Sequence, residues 1–488
     1  MSNRNDNHDD KPWEKKFEDG KDENGLYSRR ASKRKDKLNS RLPLVLLLVF
    51  CFVVVATIAL YFISLKTAAQ PTNDDGGNIE VVTSSSSKSS FKKSSAKKHK
   101  ESSSTKKEAE SSSSQVEKMP ETDEEWTQAM YDKAMVSYGN TSMMQNVIKK
   151  AQSGEKVTVA YLGGSITEGI SAGADGCYAK LTYDYFAQKF GTGDNVQYVN
   201  AGLSGTPSKL GILRLDRDVL AYEPDICFIE FAVNDGTETD YQNAYESIVR
   251  TLLQKNITPV LLFSVTENDH SAQDYMKQIG EFYHLPMISY CDALRYLFAN
   301  NRMTWKDFSD DQSHPNKEGH KLVASMVDYY FDTVMDVAPE GDYVMPTDTV
   351  FSPREVDAHM YEGDSLTPTS LGSWKEGSTI ASFTKGWTYD NTGDNSPIVF
   401  EFKDKKFLYM IYKEVKQGEF GKLHVKVTAD GEVYDESDYD TISPSGWGNA
   451  QIQNIAMMPE ATNYTVEISM AAGDEDKQGE VLAFGYTE

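Results

Sequence analysis

Two short blocks of this chain hold side chains suited to covalent chemistry. Ser165 stands in Gly163-Gly164-Ser165-Ile166-Thr167, and His314 stands in Asp311-Gln312-Ser313-His314-Pro315. A serine hydroxyl is a weak nucleophile at neutral pH until a base removes its proton. The base in turn needs a carboxylate to fix its tautomer. Asp311 and His314 are three residues apart, so one loop can carry both, and Pro315 stiffens that turn ahead of a helix. The two glycines before Ser165 allow a tight turn and let a substrate approach the backbone. His270, His284, His320, His359 and His424 have no comparable carboxylate-bearing loop. Two other blocks could stabilise a developing oxyanion. The loop Asn200-Ala201-Gly202-Leu203-Ser204-Gly205-Thr206 can present a backbone N–H. Asn234, in Glu230-Phe231-Ala232-Val233-Asn234-Asp235, can supply a side-chain amide, or can instead cap a helix. Each block alone also reads as ordinary structure: a Gly-Ser turn, a strand-to-helix turn, a surface loop histidine.

The elements that must position these residues are legible in the hydrophobic pattern. Helical spacing runs from about 122 through Trp126, Met130 and Ala134, and again through Met144, Val147 and Ile148. Strands are expected at 157–162, 197–200, 225–233, 259–265 and 287–290, with helices at 178–190, 241–255, 274–284 and 317–330. Near-continuous apolar strands between helices predict a parallel sheet covered on both faces, with its site beyond the carboxyl ends of the strands. After about residue 340 short alternating runs (398–402, 407–412, 423–428, 451–456, 464–470 and 481–486) with turn residues between them predict a β-sandwich.

Taken together and in order, Ser165, Gly205, Asn234 and His314 resemble the four blocks of the SGNH (GDSL-type) hydrolases. The Gly-Gly-Ser-Ile-Thr and Phe-Ala-Val-Asn-Asp forms are similar to a bacterial branch of that family, over about residues 130–335. The resemblance implies a flavodoxin-like α/β/α domain with no metal or organic cofactor. It implies Ser165 as nucleophile, His314 as base and Asp311 as its partner. The Ser165 and Gly205 N–H groups and the Asn234 side chain would be the oxyanion donors. Two departures leave the substrate subgroup open: Gly-Gly-Ser replaces the common Gly-Asp-Ser, and Ala232 stands where many members have glycine. The other serine-hydrolase signature, G-x-S-x-G, fails at Thr167. A metal hydrolase is disfavoured, because no His/Asp cluster has ligand spacing and there is no C-x-x-C.

The chain has 488 residues, beyond one ordinary domain. Residues 42–65 carry no charge and are long enough to span a bilayer as a helix. Arg29, Arg30, Lys33, Arg34, Lys35, Lys37 and Arg41 precede the segment. Lys66 follows it, with no further basic residue until Lys88. This asymmetry predicts a cytoplasmic tail (1–41), a single transmembrane helix, and everything beyond outside the cell. Residues 66–120, rich in serine and lysine, predict a disordered stalk between the span and a hydrolase domain at 121–340, with the sandwich at 341–488. Residues 1–120 hold 22 Lys and Arg against 16 Asp and Glu, so 28 against 58 remain in the rest. An outer portion so acidic is a poor binder of nucleic acid or anionic lipid. Cys177, Cys227 and Cys291 show no paired spacing, which implies a core that folds without disulfides.

Arg214, Arg217 and Asp218 read as a structural ion-paired helix, with a substrate-facing arginine as the alternative. Trp374, Trp387 and Trp447 read as core residues or as platforms for sugar rings. The expectation is a membrane-anchored, outward-facing serine esterase that removes small acyl groups, acetyl above all, from envelope or environmental carbohydrate. Its rivals are an O-acyltransferase with the same triad and a wall-binding protein whose α/β domain is only a scaffold. Oligomeric state stays open.

Overall fold

Val157–Gly163 (β2) is built from β-branched, aromatic and aliphatic residues, and every one of them is buried. Such a strand is stable only in the middle of a sheet with both faces covered. In the computed structural model, which describes residues 119–363, 365–390, 394–444 and 446–488, it occupies that place. The first sheet runs β1-β6-β5-β4-β2-β3, with β1 Met135–Tyr138, β3 Val196–Gly202, β4 Ile226–Glu230, β5 Thr258–Phe263 and β6 Pro286–Ser289. β2 through β6 are parallel, and the edge strand β1 pairs antiparallel with β6.

Two buried clusters sandwich this sheet. One joins Ile166, Tyr178, Phe186, Phe228, Leu294 and Phe331 and lies under the helices Tyr178–Phe190, Tyr290–Ala299 and Lys317–Thr333. Tyr161 of β2 stacks on Phe228 of β4 within it, with ring centroids 4.9 Å apart. The other joins Leu162, Leu210, Ile229, Phe231, Ile248 and Leu252, under the helices Ser208–Leu213 and Thr239–Gln254. The expected three-layer α/β arrangement is therefore present.

Three details differ from the pattern-based reading. The strand expected over 225–233 ends at Glu230, because the amides of Asn234 and Asp235 turn back onto the Phe231 carbonyl (both 2.9 Å). β6 ends at Ser289, whose hydroxyl accepts the Asp292 amide (3.0 Å) and so caps a helix, Tyr290–Ala299, that periodicity did not reveal. The edge strand β1 has only four residues, too few for a pattern.

The C-terminal region is antiparallel β structure, as expected, but its strands form one continuous eight-stranded sheet. The path is β12-β11-β13-β10-β14-β9-β8, and β7 pairs with β14. The strands are β7 His359–Tyr361, β8 Lys375–Glu376, β9 Trp387–Asp390, β10 Ile398–Glu414, β11 Leu423–Ala429, β12 Glu432–Tyr439, β13 Asn449–Met470 and β14 Gln478–Thr487. β10 and β13 are long, 17 and 22 residues, and their pairing is broken by register shifts. Such irregularities bend and twist a strand pair. Alternation then serves two cores. Phe407, Tyr409 and Ile411 join the α/β cluster, while Leu408, Met410 and Tyr412 join the β module's own core with Phe400, Leu423 and Ile468. The two modules are also tied by an ion pair between Arg217 and Glu362 and by a contact between His359 Nδ1 and Asp216 Oδ2 (2.5 Å).

Trp374 and Trp387 are buried in the β core. Cys177, Cys227 and Cys291 are buried and unpaired. The expected tail, membrane helix and stalk all lie outside the described residues, apart from the stalk's last two. Among the described residues no helix is long and apolar enough to cross a membrane.

Candidate active site

Ser165 opens a single helical turn, Ser165–Glu168, directly after β2. Ile166 anchors that turn in the core, and Gly169 ends it in the left-handed region (φ 101°). Gly164 is glycine for a steric reason. A Cβ there would lie 2.3 Å from Asn234 Oδ1, so the Asn234 side chain occupies the space any larger residue would need. The Gly-Gly-Ser form is thus matched by Asn234, which arrives from the turn after β4.

His314 Nε2 lies 2.9 Å from Ser165 Oγ, and His314 Nδ1 lies 2.8 Å from Asp311 Oδ2. The other oxygen, Asp311 Oδ1, accepts the Ser313 and His314 amides, both at 2.7 Å. One carboxylate therefore folds the loop and orients the ring it carries, which is what a spacing of three makes possible. Partial burial works against the Asp311 charge. The two amides and the imidazole outweigh it and hold the carboxyl below its ordinary range. With Asp311 ionised, Nδ1 carries the ring proton and Nε2 is free to accept one from Ser165. The loop docks on the sheet end through the Glu267 amide and the Gln312 carbonyl (2.9 Å). Pro315 does not start the next helix. Asn316 does, its side chain accepting the Gly319 amide at 2.9 Å.

Gly205 lies on the loop after β3 with φ 70°, a conformation that favours glycine. That loop is fastened to the nucleophile turn. Glu168 accepts the Ser204 amide (2.8 Å) and hydroxyl, and Asn200 donates to the Thr167 carbonyl (2.8 Å). Asp235 fastens it to the third block by accepting the Ser208 amide (2.8 Å) and the Tyr275 hydroxyl (2.8 Å). Burial pushes the Asp235 carboxyl up to about 7. The structure thus brings all five sequence-derived residues, Ser165, Gly205, Asn234, Asp311 and His314, to the carboxyl end of the sheet.

Arg214 is the structural, ion-paired residue expected, and it is also an interior strut. It is fully buried and donates to the carbonyls of Gly163 (2.9 Å) and Ala201 (2.7 Å) and to Asp218 (2.9 Å). It thereby holds the ends of β2 and β3, from which both loops spring. Trp447 of the β module resolves differently from its two buried counterparts. It is 60% exposed, and its indole edge lies against Gly205: a Cβ there would sit 3.0 Å from Cζ2 and Nε1. Asn449 adjoins it, 3.3 Å from the same point, and accepts the Trp447 amide through Oδ1 (3.0 Å). The second module therefore reaches the site. No periodic signal could have shown this, since Trp447 lies just before a strand and not within one. Among the described residues no group of three His, Cys, Asp or Glu is placed to hold a metal ion.

His320 supports the site from beneath. Its Nδ1 accepts the Tyr178 amide (3.1 Å), and the ring is fully buried. Burial lowers the imidazole to about 4, from an ordinary 6.5. The folded state thus keeps the ring neutral where the unfolded chain would charge it. The contribution is complete above pH 6.5 and is lost as pH falls from there toward 4. His320→Gln is expected to flatten the stability–pH curve in that window by up to about 3 kcal/mol, measured by denaturant unfolding at successive pH values.

Residues 161–322 match the GDSL-like lipase/acylhydrolase family. Thioesterase 1/protease 1/lysophospholipase L1 of Escherichia coli strain K12 is 25% identical over 178 residues, covering 34% of this chain and 79% of that protein. A two-domain esterase active on acetylated mannans, co-crystallized with mannopentaose, superposes with TM-score 0.64 at 24% identity. It covers 73% of this chain and 98% of that one. A second structure of an esterase so described gives TM-score 0.65 at the same identity and coverage. That likeness extends the shared fold over both modules. With the family match, the four blocks and the serine and histidine in contact, residues 161–322 form an SGNH (GDSL-type) hydrolase domain, and the protein is a serine hydrolase.

Proposed function

We propose that this protein is an esterase that removes small acyl groups, acetyl above all, from carbohydrate. Ser165 attacks the ester carbonyl while His314 takes its proton through Nε2 and Asp311 holds the ring. The N–H groups of Ser165 and Gly205 and the side-chain amide of Asn234 stabilise the tetrahedral oxyanion. Its collapse breaks the bond to the sugar oxygen, which takes the proton from His314 and leaves as the hydroxyl. Water, activated by the same base, then attacks the acyl-serine, releases the carboxylic acid and restores the enzyme. The observation that carries this reading is the chain Asp311 Oδ2–His314 Nδ1 (2.8 Å) and His314 Nε2–Ser165 Oγ (2.9 Å).

The carbohydrate part is supported by the exposed Trp447 ring beside Gly205. An indole offers an apolar face against which a sugar ring can lie, with an N–H at its edge. It is supported also by the two-domain structural neighbours, which act on acetylated mannans. Acetate release from acetylated polysaccharides by the purified protein tests the reading. Acetyl transfer to an added oligosaccharide, with no free acetate, would overturn hydrolysis in favour of acyl transfer. Trp447→Ala is expected to raise KM for the polymer roughly tenfold while leaving kcat/KM for an aryl acetate within about threefold. Equal effects on both substrates would remove the ring from sugar binding. We also infer from residues 42–65 and the basic residues before them that a single span holds the catalytic domain outside the cell. Protease digestion of intact cells tests this, and a protected catalytic domain would contradict it.

A further inference from the structure

An oxyanion hole made of two backbone N–H groups works only if both point at one place, and here the two groups belong to different loops. Ser165 stands on the short helical turn after β2, and Gly205 on the loop after β3. Within that second loop most amides are already engaged. Gly202 donates to Asn200 Oδ1 (2.9 Å) and Leu203 to the Gly163 carbonyl (3.0 Å). Thr206 closes the turn on the Leu203 carbonyl through its amide (3.3 Å) and its hydroxyl (2.7 Å). The Ser204 amide donates to Glu168 Oε2 (2.8 Å). Among the described residues the Gly205 amide has no acceptor. A free N–H between bonded neighbours is suited to receive a developing charge without reorganising.

We propose that Glu168 is a positioning residue that sets the spacing between the Ser165 and Gly205 N–H groups, so that both meet the same oxyanion. This rests on the oxyanion reading above. Glu168 ends the turn that Ser165 opens, so its carboxylate is carried by the same rigid piece of backbone as the nucleophile. Oε2 takes both the amide and the hydroxyl of Ser204, the residue immediately before Gly205. The bases of the two loops are in close contact, since a Cβ on Gly202 would lie 2.1 Å from the Glu168 nitrogen and 2.5 Å from its Cα. Asn200 adds a bond there to the Thr167 carbonyl (2.8 Å). Further out, among the described residues, no other hydrogen bond joins the turn Ser165–Glu168 to residues 203–206. Glu168 is exposed whereas Ser204 is buried, so removing the carboxylate frees the loop without opening the core.

The test is Glu168→Ala beside Glu168→Gln in the full chain, assayed on an aryl acetate so that sugar binding is not involved. For Glu168→Ala a fall in kcat of roughly 10- to 100-fold is expected with KM within about twofold, because a misplaced donor weakens the transition state and leaves ground-state binding alone. Its affinity for an alkylboronic acid, whose tetrahedral adduct on Ser165 puts an oxygen where the oxyanion forms, should fall by a similar factor. Glu168→Gln keeps a carbonyl acceptor at the same reach, so its kcat is expected within about threefold of the parent. A kcat within twofold of the parent in Glu168→Ala, a rise in KM at constant kcat, or a Glu168→Gln as slow as Glu168→Ala would each overturn the proposal. If Glu168→Ala does not fold, Glu168→Asp decides. Its arm is one methylene too short for the Ser204 amide, so kcat is expected to fall at unchanged KM, and an unchanged kcat overturns the proposal. Ser165→Ala measured in parallel keeps the two questions apart: retained activity there would refute the nucleophile, whereas an inactive Ser165→Ala beside a fully active Glu168→Ala would refute the role of Glu168 alone.

Discussion

Ser165→Ala is expected to lower kcat/KM for an aryl acetate by on the order of 10³- to 10⁶-fold, the range seen when a nucleophile of this kind is removed. The folded state should hardly notice. Ser165 is 9% exposed, the substitution deletes one oxygen, and the hydrogen bond it loses is to the partly exposed His314 ring. A melting temperature close to the parent's alongside the lost activity would place the effect on chemistry rather than folding. His314→Ala should fall in the same range, because the two residues act as a unit and their losses do not add.

Asn234→Ala is expected to cost roughly 10²- to 10³-fold in kcat, the value of one side-chain oxyanion donor, with KM changed by no more than a few-fold. The geometry makes this separable from stability. Asn234 Oδ1 is buried without a hydrogen-bond partner, so truncation strands nothing on that oxygen, and the space vacated lies against Gly164. Asn234→Asp is the sharper comparison. It preserves the shape but replaces the amide with a charge of the same sign as the oxyanion, so its activity should be no higher than that of the alanine variant. A rise in KM at constant kcat would instead assign Asn234 to ground-state binding.

The candidate site residues were legible in the sequence because each is bound to a local backbone event. Ser165 follows a strand buried along its whole length, His314 shares a turn with its own carboxylate, and Gly205 needs a positive φ. The parallel order of the strands was legible for a related reason: strands buried on both faces cannot alternate. What was not legible depends on contacts between distant segments. Arg214 looked like one member of a charged helix, yet its guanidinium spans the ends of β2 and β3. Glu230 drew no notice in the sequence, because its partners come from elsewhere in the chain: Ser264 just after β5 and Thr167 in the turn after β2. Trp447 could not be told from Trp374 and Trp387 by type or spacing; only the packing of one module on the other leaves it exposed beside Gly205. The continuous C-terminal sheet was hidden for a similar reason. Register shifts within β10 and β13 break the alternation that marks a strand, so each read as two short runs.

The most direct test of the nucleophile is covalent. An organophosphonate ester should modify the purified protein at one residue, and peptide mass spectrometry should find the phosphonyl group on Ser165. The adduct should be absent from Ser165→Ala and form far more slowly in His314→Ala, because the hydroxyl then lacks its base. Phosphonylation of a different residue, together with undiminished aryl-acetate cleavage by Ser165→Ala, would contradict the assignment of Ser165 and His314.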